Sequence, residues 1–416
     1  MIKKVALVLI IAFNYCNISA QSNKKLALTP PMGWNSWNMF EGDITEEIVK
    51  GIADAFVSSG LKNAGYEYIL IDDVWQGGRD NQNRMIPDPK KFPSGIKALA
   101  DYVHSKGLKF GIYSDAAHYT CGGYTASYGF EKEDAKTFAE WGVDYLKYDY
   151  CHAPKEKAEA IKRYSAMSKA LKKSGRDIVF AICEWGQREP WTWASAAGGN
   201  LWRTTWDSRD IWETKIYNGG HAGIMNILDK QVDLEKYARP GSWNDPDMLM
   251  VGLYGKGKSS SHGGGNGCTD TEYKSHFSLW CMLAAPLIVN LDVRDINEST
   301  KNILLNKEMI AIDQDKLGKQ ASRIIDCDDI NVFLKQLSNN EWAICFLNRS
   351  KKTKSIDFNW NTFELNGKKI KVESKLKINK TYNLRDIWKH KTIGNTETNL
   401  KAKIESHDVL VLRLIK

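Results

Sequence analysis

The amino-acid sequence predicts an α/β protein in which a (β/α)8 TIM barrel precedes a small antiparallel β-sandwich domain. From about residue 30 to residue 315, short apolar runs alternate with amphipathic stretches of helical period, which is typical of βαβ units. Eight apolar runs lie within roughly 285 residues, as a (β/α)8 barrel requires. After Asp313-Gln314-Asp315 the runs become short and alternating, which indicates antiparallel strands.

The barrel is predicted to occupy residues 21–316 and the sandwich residues 317–416. The first barrel helix is predicted to start at Asp43, because Glu46 three residues later resembles a capping box, and to stop at Gly60. The eight predicted barrel strands are residues 32–37, 66–75, 108–115, 141–151, 178–185, 200–207, 242–250 and 286–293. The predicted sandwich strands are residues 331–337, 342–348, 355–358 and 409–414.

The first 20 residues have the pattern of a secretory signal peptide. Lys3 and Lys4 precede an apolar run over residues 5–13, and Ile18-Ser19-Ala20 precedes Gln21. The apolar run is too short to span a bilayer, and no later segment is long enough to do so. The sequence therefore predicts export to the periplasm or the extracellular space, without a membrane span.

Composition and charge exclude several classes of function. Hydrophobic residues make up 43% and charged residues 26% of the chain, as in ordinary soluble globular proteins. The formal charge of +8, which falls to +6 without Lys3 and Lys4, comes from scattered basic residues, so nucleic acid is not a predicted partner. Eight cysteines without a C-x-x-C pair argue against a zinc site, and fifteen tryptophans favour a sugar ligand.

Polar and aromatic residues stand at the ends of the predicted barrel strands, where the fold gathers them at one mouth. Such a mouth could hold a divalent ion through Asp72, Asp73 and Asp149, or hydrolyse a glycosidic bond with two carboxylates. Lys147 and Arg203 lie beside the candidate acids, which favours ion pairs over a metal cage and so favours hydrolysis. The full set is Trp37, Asp72, Asp73, Tyr113, Asp115, Lys147, Asp149, Cys183, Glu184, Trp185, Arg203, Asp207, Asp245 and Asp247.

Seven short strings carry most of these residues in the same order as one known family. The strings are Pro31-Met32-Gly33-Trp34-Asn35-Ser36-Trp37, Ile71-Asp72-Asp73-Val74-Trp75, Lys147-Tyr148-Asp149, Cys183-Glu184-Trp185-Gly186, Trp202-Arg203-Thr204-Thr205, Trp243-Asn244-Asp245-Pro246-Asp247-Met248 and Thr271-Glu272-Tyr273. Together they resemble glycoside hydrolase family 27, which holds α-galactosidases and α-N-acetylgalactosaminidases. The resemblance covers about residues 27 to 320.

The resemblance implies a retaining, exo-acting α-galactosidase that needs no cofactor and takes a terminal α-D-galactoside as its substrate. Asp149 matches the family's nucleophile, and Asp207 matches its general acid/base. Lys147 is expected to keep Asp149 ionised, whereas Asp207 must first hold a proton, so the pKa of Asp207 must exceed that of Asp149. A separation of about 5–5.5 Å between the carboxyl groups would imply net retention through a covalent galactosyl-enzyme.

Further positions that match the family are predicted to bind the sugar. The resemblance implies that Asp72 and Asp73 accept hydrogen bonds from the 4- and 6-hydroxyls, which favours galactose over glucose and over L-arabinopyranose. It also implies that Trp37 forms the wall against the apolar side of the ring. The other predicted substrate-binding residues at these strand ends are Tyr113, Cys121, Lys147, Arg203 and Asp247.

The family reads the 2-position of the sugar at Cys183, Glu184 and Trp185. Members that take an N-acetyl group have smaller residues here, so the large side chains of Glu184 and Trp185 favour a free 2-hydroxyl. The resemblance further implies a disulfide between Cys121 and Cys151, which would hold the loop after the third strand next to the nucleophile.

The sequence departs from the family pattern at Trp206, which stands where a small residue such as glycine is expected, and at the following Ser208-Arg209. These changes bear on the space for the leaving group. A Ser/Gly-rich loop over residues 255–267 contains His262, interpreted as an exposed loop residue. The alternatives are a β-L-arabinopyranosidase or α-N-acetylgalactosaminidase of the same family, a metal-dependent barrel enzyme, and a non-catalytic galactose-binding barrel.

Overall fold

The structure is a computed structural model that describes residues 26–214, 221–258, 266–368 and 380–416. It confirms the predicted fold, a TIM barrel followed by an antiparallel β-sandwich. The predicted signal peptide and His262 lie outside the described residues. The predicted domain boundary at residue 316 stays a prediction; it falls in the connection between the last barrel helix and the first sandwich strand.

Eight parallel strands form the barrel in the spatial order β7-β6-β5-β4-β3-β2-β1-β8. The sheet closes on itself after β7, where Leu249 pairs in parallel with Val289 of β8. Its interior contains buried aromatic and aliphatic side chains such as Tyr68, Tyr145 and Trp243. The strands are β1 Met32–Asn35, β2 Tyr68–Leu70, β3 Lys109–Asp115, β4 Tyr145–Asp149, β5 Val179–Ile182, β6 Leu201–Arg203, β7 Trp243–Asp245 and β8 Leu287–Val289.

Most barrel strands are shorter than the apolar runs that predicted them, and β2 shows why. The run at residues 66–75 contains a strand only from Tyr68 to Leu70. Beyond it, the Asp72 side chain accepts from the backbone N–H of Asp73 at 2.9 Å, and the Asp73 side chain accepts from Val74 at 2.7 Å. Because side chains satisfy these backbone donors, the chain leaves the sheet and presents its carboxylates at the barrel mouth.

Helices surround the barrel, and the first one begins two residues later than the predicted capping box. Its N-cap is Thr45, whose side chain accepts from the Ile48 N–H at 3.3 Å, whereas Asp43 lies in a preceding 3₁₀ turn. The longer helices are α1 Glu46–Ser58, α2 Gly95–Ser105, α3 Glu131–Trp141, α4 Lys157–Lys173, α5 Ile224–Lys230, α6 Asp270–Leu283, α7 Glu298–Leu304 and α8 Lys307–Asp313. No helix in the described ranges has the length and apolar character needed to cross a bilayer.

The C-terminal domain consists of a six-stranded sheet, β9-β10-β11-β17-β14-β15, and a three-stranded sheet, β13-β12-β16. Buried side chains such as Phe346, Phe358 and Trp360 form its core. The strands are β9 Ser322–Cys327, β10 Ile330–Gln336, β11 Trp342–Asn348, β12 Lys354–Asn359, β13 Glu364–Leu365, β14 Asn383–Asp386, β15 Lys391–Asn395, β16 Leu400–Ile404 and β17 Val409–Ile415. All four predicted sandwich strands are present.

Helix α6 lies between the barrel and the sandwich. It is buried on nearly every side from Tyr273 to Leu283. The fully buried Lys335 of β10 donates to the carbonyl oxygen of Cys281 at 2.8 Å, and Trp388 donates to Ser278 at 3.0 Å. The two domains therefore share one continuous interface along this helix.

Candidate active site

The carboxyl ends of the barrel strands surround a cavity of about 270 Å³. Strand alternation places Lys147 and Asp149 on the same side of β4, and in-register pairing with β3 sets Tyr113 beside Lys147. The lining residues are Trp37, Asp72, Asp73, Tyr113, Cys121, Lys147, Asp149, Cys151, Trp185, Arg203, Trp206, Asp207, His221, Asp247 and Met248. A void of about 20 Å³, lined in part by Cys183 and Asp245, lies against the same Lys147 and Arg203 side chains.

Asp149, the predicted nucleophile, lies at the end of β4 and is only 5% exposed. Its Oδ2 accepts from the Tyr113 hydroxyl at 3.0 Å, and its Oδ1 accepts from the Tyr150 N–H at 3.0 Å. Burial raises the pKa of Asp149 to about 7, although the Lys147 charge opposes the rise; the Asp207 charge adds to it. The carboxyl is thus held in place by two donors and is poised to titrate near neutral pH.

Asp207, the predicted general acid/base, stands four residues after Arg203 and lines the same cavity. Its side chain is 41% exposed, and Arg203 Nη2 donates to its Oδ1 at 3.0 Å. Partial desolvation of the Asp207 carboxylate in the cavity raises its pKa, but the Arg203 and Lys147 charges outweigh that effect, so the pKa lies below the ordinary aspartate value. Arg203 also lies 2.9 Å from Asp247, so its guanidinium bridges two carboxylates.

The order of the two pKa values is therefore the reverse of the sequence-based expectation. The expectation required Asp207 to have the higher pKa, whereas in the structure Asp149 has it. The reason is the position of Arg203, which contacts the acid/base candidate directly and leaves the buried Asp149 with the weaker compensation. In the free protein, burial thus favours the protonated form of Asp149, and the Arg203 charge favours the ionised form of Asp207.

One wall of the cavity presents two carboxylates in sequence, as predicted. Asp72 Oδ2 accepts from Lys147 Nζ and from the Asn35 side-chain amide, both at 2.7 Å. Asp73 Oδ2 accepts from the Gly122 N–H at 2.7 Å, and burial raises the pKa of Asp73. N–H donors thus occupy oxygens of both carboxylates. Such hydrogen-bonded carboxylates suit the recognition of hydroxyl groups better than the coordination of a hard cation, which requires a set of free oxygen ligands.

Three tryptophans line the cavity, whereas the acidic residue next to one of them does not. Trp37, Trp185 and Trp206 line it. Glu184, which was predicted to bind substrate, is fully buried outside the lining and accepts from Arg188 Nη1 at 3.0 Å. The ion pair with Arg188 thus engages the Glu184 carboxylate, whereas the next residue, Trp185, lines the cavity.

The disulfide between Cys121 and Cys151 is present, with its Cα atoms 5.1 Å apart. Asp115, Cys121, Asp149 and Cys151 offer ligand atoms within 4.8 Å of one another. Because both sulfurs are committed to the disulfide, this group has no thiolates with which to hold a soft metal. The disulfide instead has a mechanical effect: it ties the loop after β3 to Cys151, two positions beyond Asp149.

The sequence analysis missed three residues of the site. His221 pairs in register with Asp207 through a short parallel bridge and contacts Arg209 at 2.6 Å. Met248 lines the cavity beside Asp247, and Asn35 supports Asp72. Asn35 stands at a strand end and could have been recognised by that position, whereas His221 lies in a segment without any strand or helix period.

A TIM barrel whose strand ends place two candidate catalytic carboxylates, a lysine–aspartate pair and three tryptophans around a sugar-sized cavity has the features of a glycoside hydrolase. The family model for α-galactosidase A matches residues 29–315, and the model for the α-galactosidase C-terminal β-sandwich domain matches residues 327–414. The chain belongs to the α-galactosidase family, glycoside hydrolase family 27.

Individual relatives agree with this membership. The chain is 45% identical to α-galactosidase A of Cellvibrio japonicus, over 95% of this chain and 94% of that protein. The crystal structure of α-galactosidase I from Mortierella vinacea superposes with a TM-score of 0.86 at 36% identity, covering 95% and 99% of the two chains. The α-galactosidase of Saccharomyces cerevisiae, solved with raffinose, gives a TM-score of 0.84 at 30% identity, covering 94% and 98%.

Proposed function

We propose that this protein is a retaining α-galactosidase that releases terminal α-D-galactosyl residues from oligosaccharides or polysaccharides. The observation that carries the proposal is the presence of Asp149 and Asp207 on one cavity together with Asp72 and Asp73, which form its acceptor wall. Relatives at 45% and 44% identity are named α-galactosidases, and the yeast relative was solved with raffinose, itself an α-galactoside.

In the proposed reaction, Asp149 attacks the anomeric carbon while Asp207 protonates the departing glycosidic oxygen. The galactosyl ester on Asp149 is then hydrolysed by a water from which Asp207 takes the proton. Because burial favours the protonated form of Asp149 in the free protein, we propose that substrate binding moves a proton from Asp149 to Asp207. The Arg203 charge opposes protonation of Asp207, and its second contact, with Asp247, keeps the guanidinium paired once Asp207 is neutral.

Selection of galactose is proposed to rest on the acceptor wall and on the turn after β5. Asp72 is held in one orientation by Lys147 and Asn35, so its carboxylate is a preorganised acceptor for an axial 4-hydroxyl. Trp185 lines the cavity, and its bulk favours a free 2-hydroxyl over an N-acetyl group. Cys183 lines only the small void, and Glu184 is paired with Arg188 outside the cavity lining.

The test compares nitrophenyl α-D-galactopyranoside, β-L-arabinopyranoside and α-N-acetylgalactosaminide as substrates, with the anomer of the first product followed by proton NMR. We expect turnover mainly of the galactoside, with α-galactose as the first product. A preference for either of the other glycosides would contradict the proposed substrate, and β-galactose as the first product would contradict retention.

We also propose that the chain is exported after cleavage following Ala20. The pattern of residues 1–20 supports this, and a Cys121–Cys151 disulfide suits an oxidising compartment. N-terminal sequencing of the protein from the periplasm or the culture medium should begin at Gln21. An intact Met1 on active protein retained in the cytoplasm would contradict export.

A further inference from the structure

Trp206, the residue that departs from the family pattern, pairs with a second tryptophan at the cavity mouth. Its indole lies nearly parallel to that of Trp185, with ring centroids 6.4 Å apart and an interplanar angle of 19°. Both side chains are half-buried, and both line the cavity. Two aromatic faces at a solvent-accessible mouth form the kind of surface on which the C–H face of a pyranose ring stacks.

The pair lies on the side of the cavity where a leaving group must be. A general acid has to reach the glycosidic oxygen, so the departing sugar must contact the surroundings of Asp207. Trp206 precedes Asp207 directly in the chain. His221 is the register partner of Asp207 on the short parallel bridge, and it lines the same cavity. The three side chains therefore belong to the cavity lining that also holds the proposed acid: Trp206 precedes Asp207, Trp185 stacks with Trp206, and His221 pairs in register with Asp207.

The surface is supported rigidly from behind. Gly186, with φ +74°, packs so closely on the next loop that a Cβ there would lie 2.1 Å from the carbonyl oxygen of Thr204. This contact holds the turn that carries Trp185 against the segment that carries Trp206. On the other side Arg209, which is always charged, donates to His221 Nε2 at 2.6 Å and so fixes the imidazole as an acceptor at that nitrogen.

We propose that Trp185, Trp206 and His221 form a leaving-group site that binds the pyranose ring to which galactose is linked. The inference rests on the proposed α-galactosidase function and assigns the side chains that bind the leaving sugar of the oligosaccharide or polysaccharide substrate. The site also binds acceptor sugars. In that transfer the ester bond between Asp149 and galactosyl C1 breaks, the acceptor oxygen bonds to C1, and the acceptor proton passes to Asp207.

The first test uses two substrates that differ only in the leaving group. Melibiose releases glucose, whereas α-galactosyl fluoride releases a single fluoride ion that cannot reach the tryptophans. In Trp206→Gly, the ratio of kcat/KM for melibiose to kcat/KM for the fluoride should fall about tenfold, since about 1.4 kcal/mol of stacking corresponds to that factor. Trp206→Phe should restore much of the ratio.

A matched control is Trp191→Gly, which makes the same truncation at a half-buried tryptophan outside the cavity lining. Its ratio should equal that of the parent, and a thermal melt of each variant should confirm that it is folded. If Trp206→Gly keeps the parent's ratio, the leaving-group site is wrong while the proposed function stands. If the parent hydrolyses neither substrate, both proposals are overturned.

The second test measures transfer to an acceptor. With α-galactosyl fluoride as donor, added glucose should divert the galactosyl-enzyme from water to a disaccharide. The fraction transferred should be several-fold lower in Trp206→Gly than in the parent at the same glucose concentration. Equal transfer in the two proteins would overturn the site even if the hydrolytic ratio had changed through the turn geometry.

Discussion

At the scale of single residues, the two catalytic candidates behave as one unit that shares a proton. Burial raises the pKa of Asp149 to about 7, and Arg203 together with Lys147 holds that of Asp207 below its ordinary value. At a pH above the pKa of Asp207 and below the pKa of Asp149, the pair carries one proton and one negative charge. This is the protonation state that a retaining glycosidase needs, provided that substrate binding moves the proton to Asp207.

The shared proton predicts the pH dependence of kcat/KM, which reports the free enzyme. As pH rises through about 7, the pair loses its only proton and no general acid remains, so kcat/KM for melibiose should fall. At low pH the fall should begin only below the ordinary aspartate range, because the pKa of Asp207 is lowered. Initial rates on melibiose between pH 3 and pH 9 check this.

α-Galactosyl fluoride provides the control for this profile. Fluoride leaves without protonation, so the doubly ionised pair remains competent and the decline above pH 7 should be absent. A melibiose profile that keeps rising to pH 8, or a fluoride profile that declines in the same way, would contradict the assignment of the shared proton.

At the scale of elements, the disulfide positions the loop after β3 at the active site. The Tyr119–Thr125 bridge makes this loop a hairpin, and the Gly122 N–H donates from it to Asp73. The bond spans 30 residues, and cross-linking a segment of that length stabilises a protein by about 3 kcal/mol. The double variant Cys121→Ser, Cys151→Ser should therefore unfold at lower urea concentration and show a raised KM.

Stability and KM, measured separately, distinguish the two effects of the disulfide: stabilisation of the fold and positioning of the hairpin at Asp73. The single variant Cys345→Ser, at a buried free cysteine of the sandwich, is the matched control for loss of a sulfur atom. If the double variant lost stability but kept the parent's KM, the hairpin would not position Asp73.

Helix α6 contains a buried histidine whose ring nitrogens form no hydrogen bonds with the described residues. His276 is fully buried, packs edge-on against Trp280 with centroids 4.1 Å apart, and has no hydrogen-bond partner at either nitrogen among the described residues. Burial lowers its pKa to about 3, so the ring is neutral. His276→Leu should leave the free energy of unfolding unchanged or raise it by about 1 kcal/mol, because unsatisfied buried polar groups destabilise.

The comparison for this variant is His276→Ala, which leaves a cavity and should cost about 2–5 kcal/mol. Urea denaturation of both variants measures the difference. A loss of more than about 2 kcal/mol in His276→Leu would mean that the ring nitrogens contribute polar interactions to the fold.

Elements differ in how well the sequence predicts them, and the reasons are physical. Apolar runs located every barrel strand, because parallel strands are buried on both faces. The predicted strands were too long where side chains, instead of the neighbouring strand, accept hydrogen bonds from the backbone, as the Asp72 side chain does. The capping box was assigned to Asp43, whereas the structure has one at Thr269 with Glu272, and local sequence alone does not distinguish such positions.

At the scale of the whole molecule, a buried acid links folding stability to pH. Asp313, at the end of α8, is fully buried, and its Oδ2 accepts from Gln314 at 2.7 Å. Burial raises its pKa to about 8, against the opposing charge of the buried Lys335. Between about pH 4 and pH 8 the folded protein therefore keeps a proton that the unfolded chain releases.

Stability should consequently fall as pH rises across that window, by up to about 1.4 kcal/mol per pH unit from this group. Asp313→Asn cannot release a proton, so its advantage in free energy of unfolding over the parent should grow from pH 5 to pH 8. Urea denaturation at the two pH values tests this. A difference that is independent of pH would show that Asp313 is ionised in the folded state.

The sequence predicted most of the site because barrel strands deliver their terminal residues to one mouth. The positions of Asp149, Asp207, Asp72 and Lys147 at the mouth needed only that rule together with the family motifs. The ion pair between Lys147 and Asp72 was not predicted. The position of Glu184 outside the cavity lining and the order of the pKa values of Asp149 and Asp207 could not be predicted. Both depend on which acid an arginine reaches in space: Arg188 reaches Glu184, and Arg203 reaches Asp207.

The most direct test of the whole account is the anomeric configuration of the galactosyl azide formed when azide rescues each acid variant on nitrophenyl α-D-galactopyranoside. Asp149→Ala lacks the nucleophile, so azide should attack directly and give β-galactosyl azide. Asp207→Ala still forms the galactosyl ester, so azide should give α-galactosyl azide. The opposite pair of products, or full activity of Asp149→Ala without azide, would contradict the assigned roles.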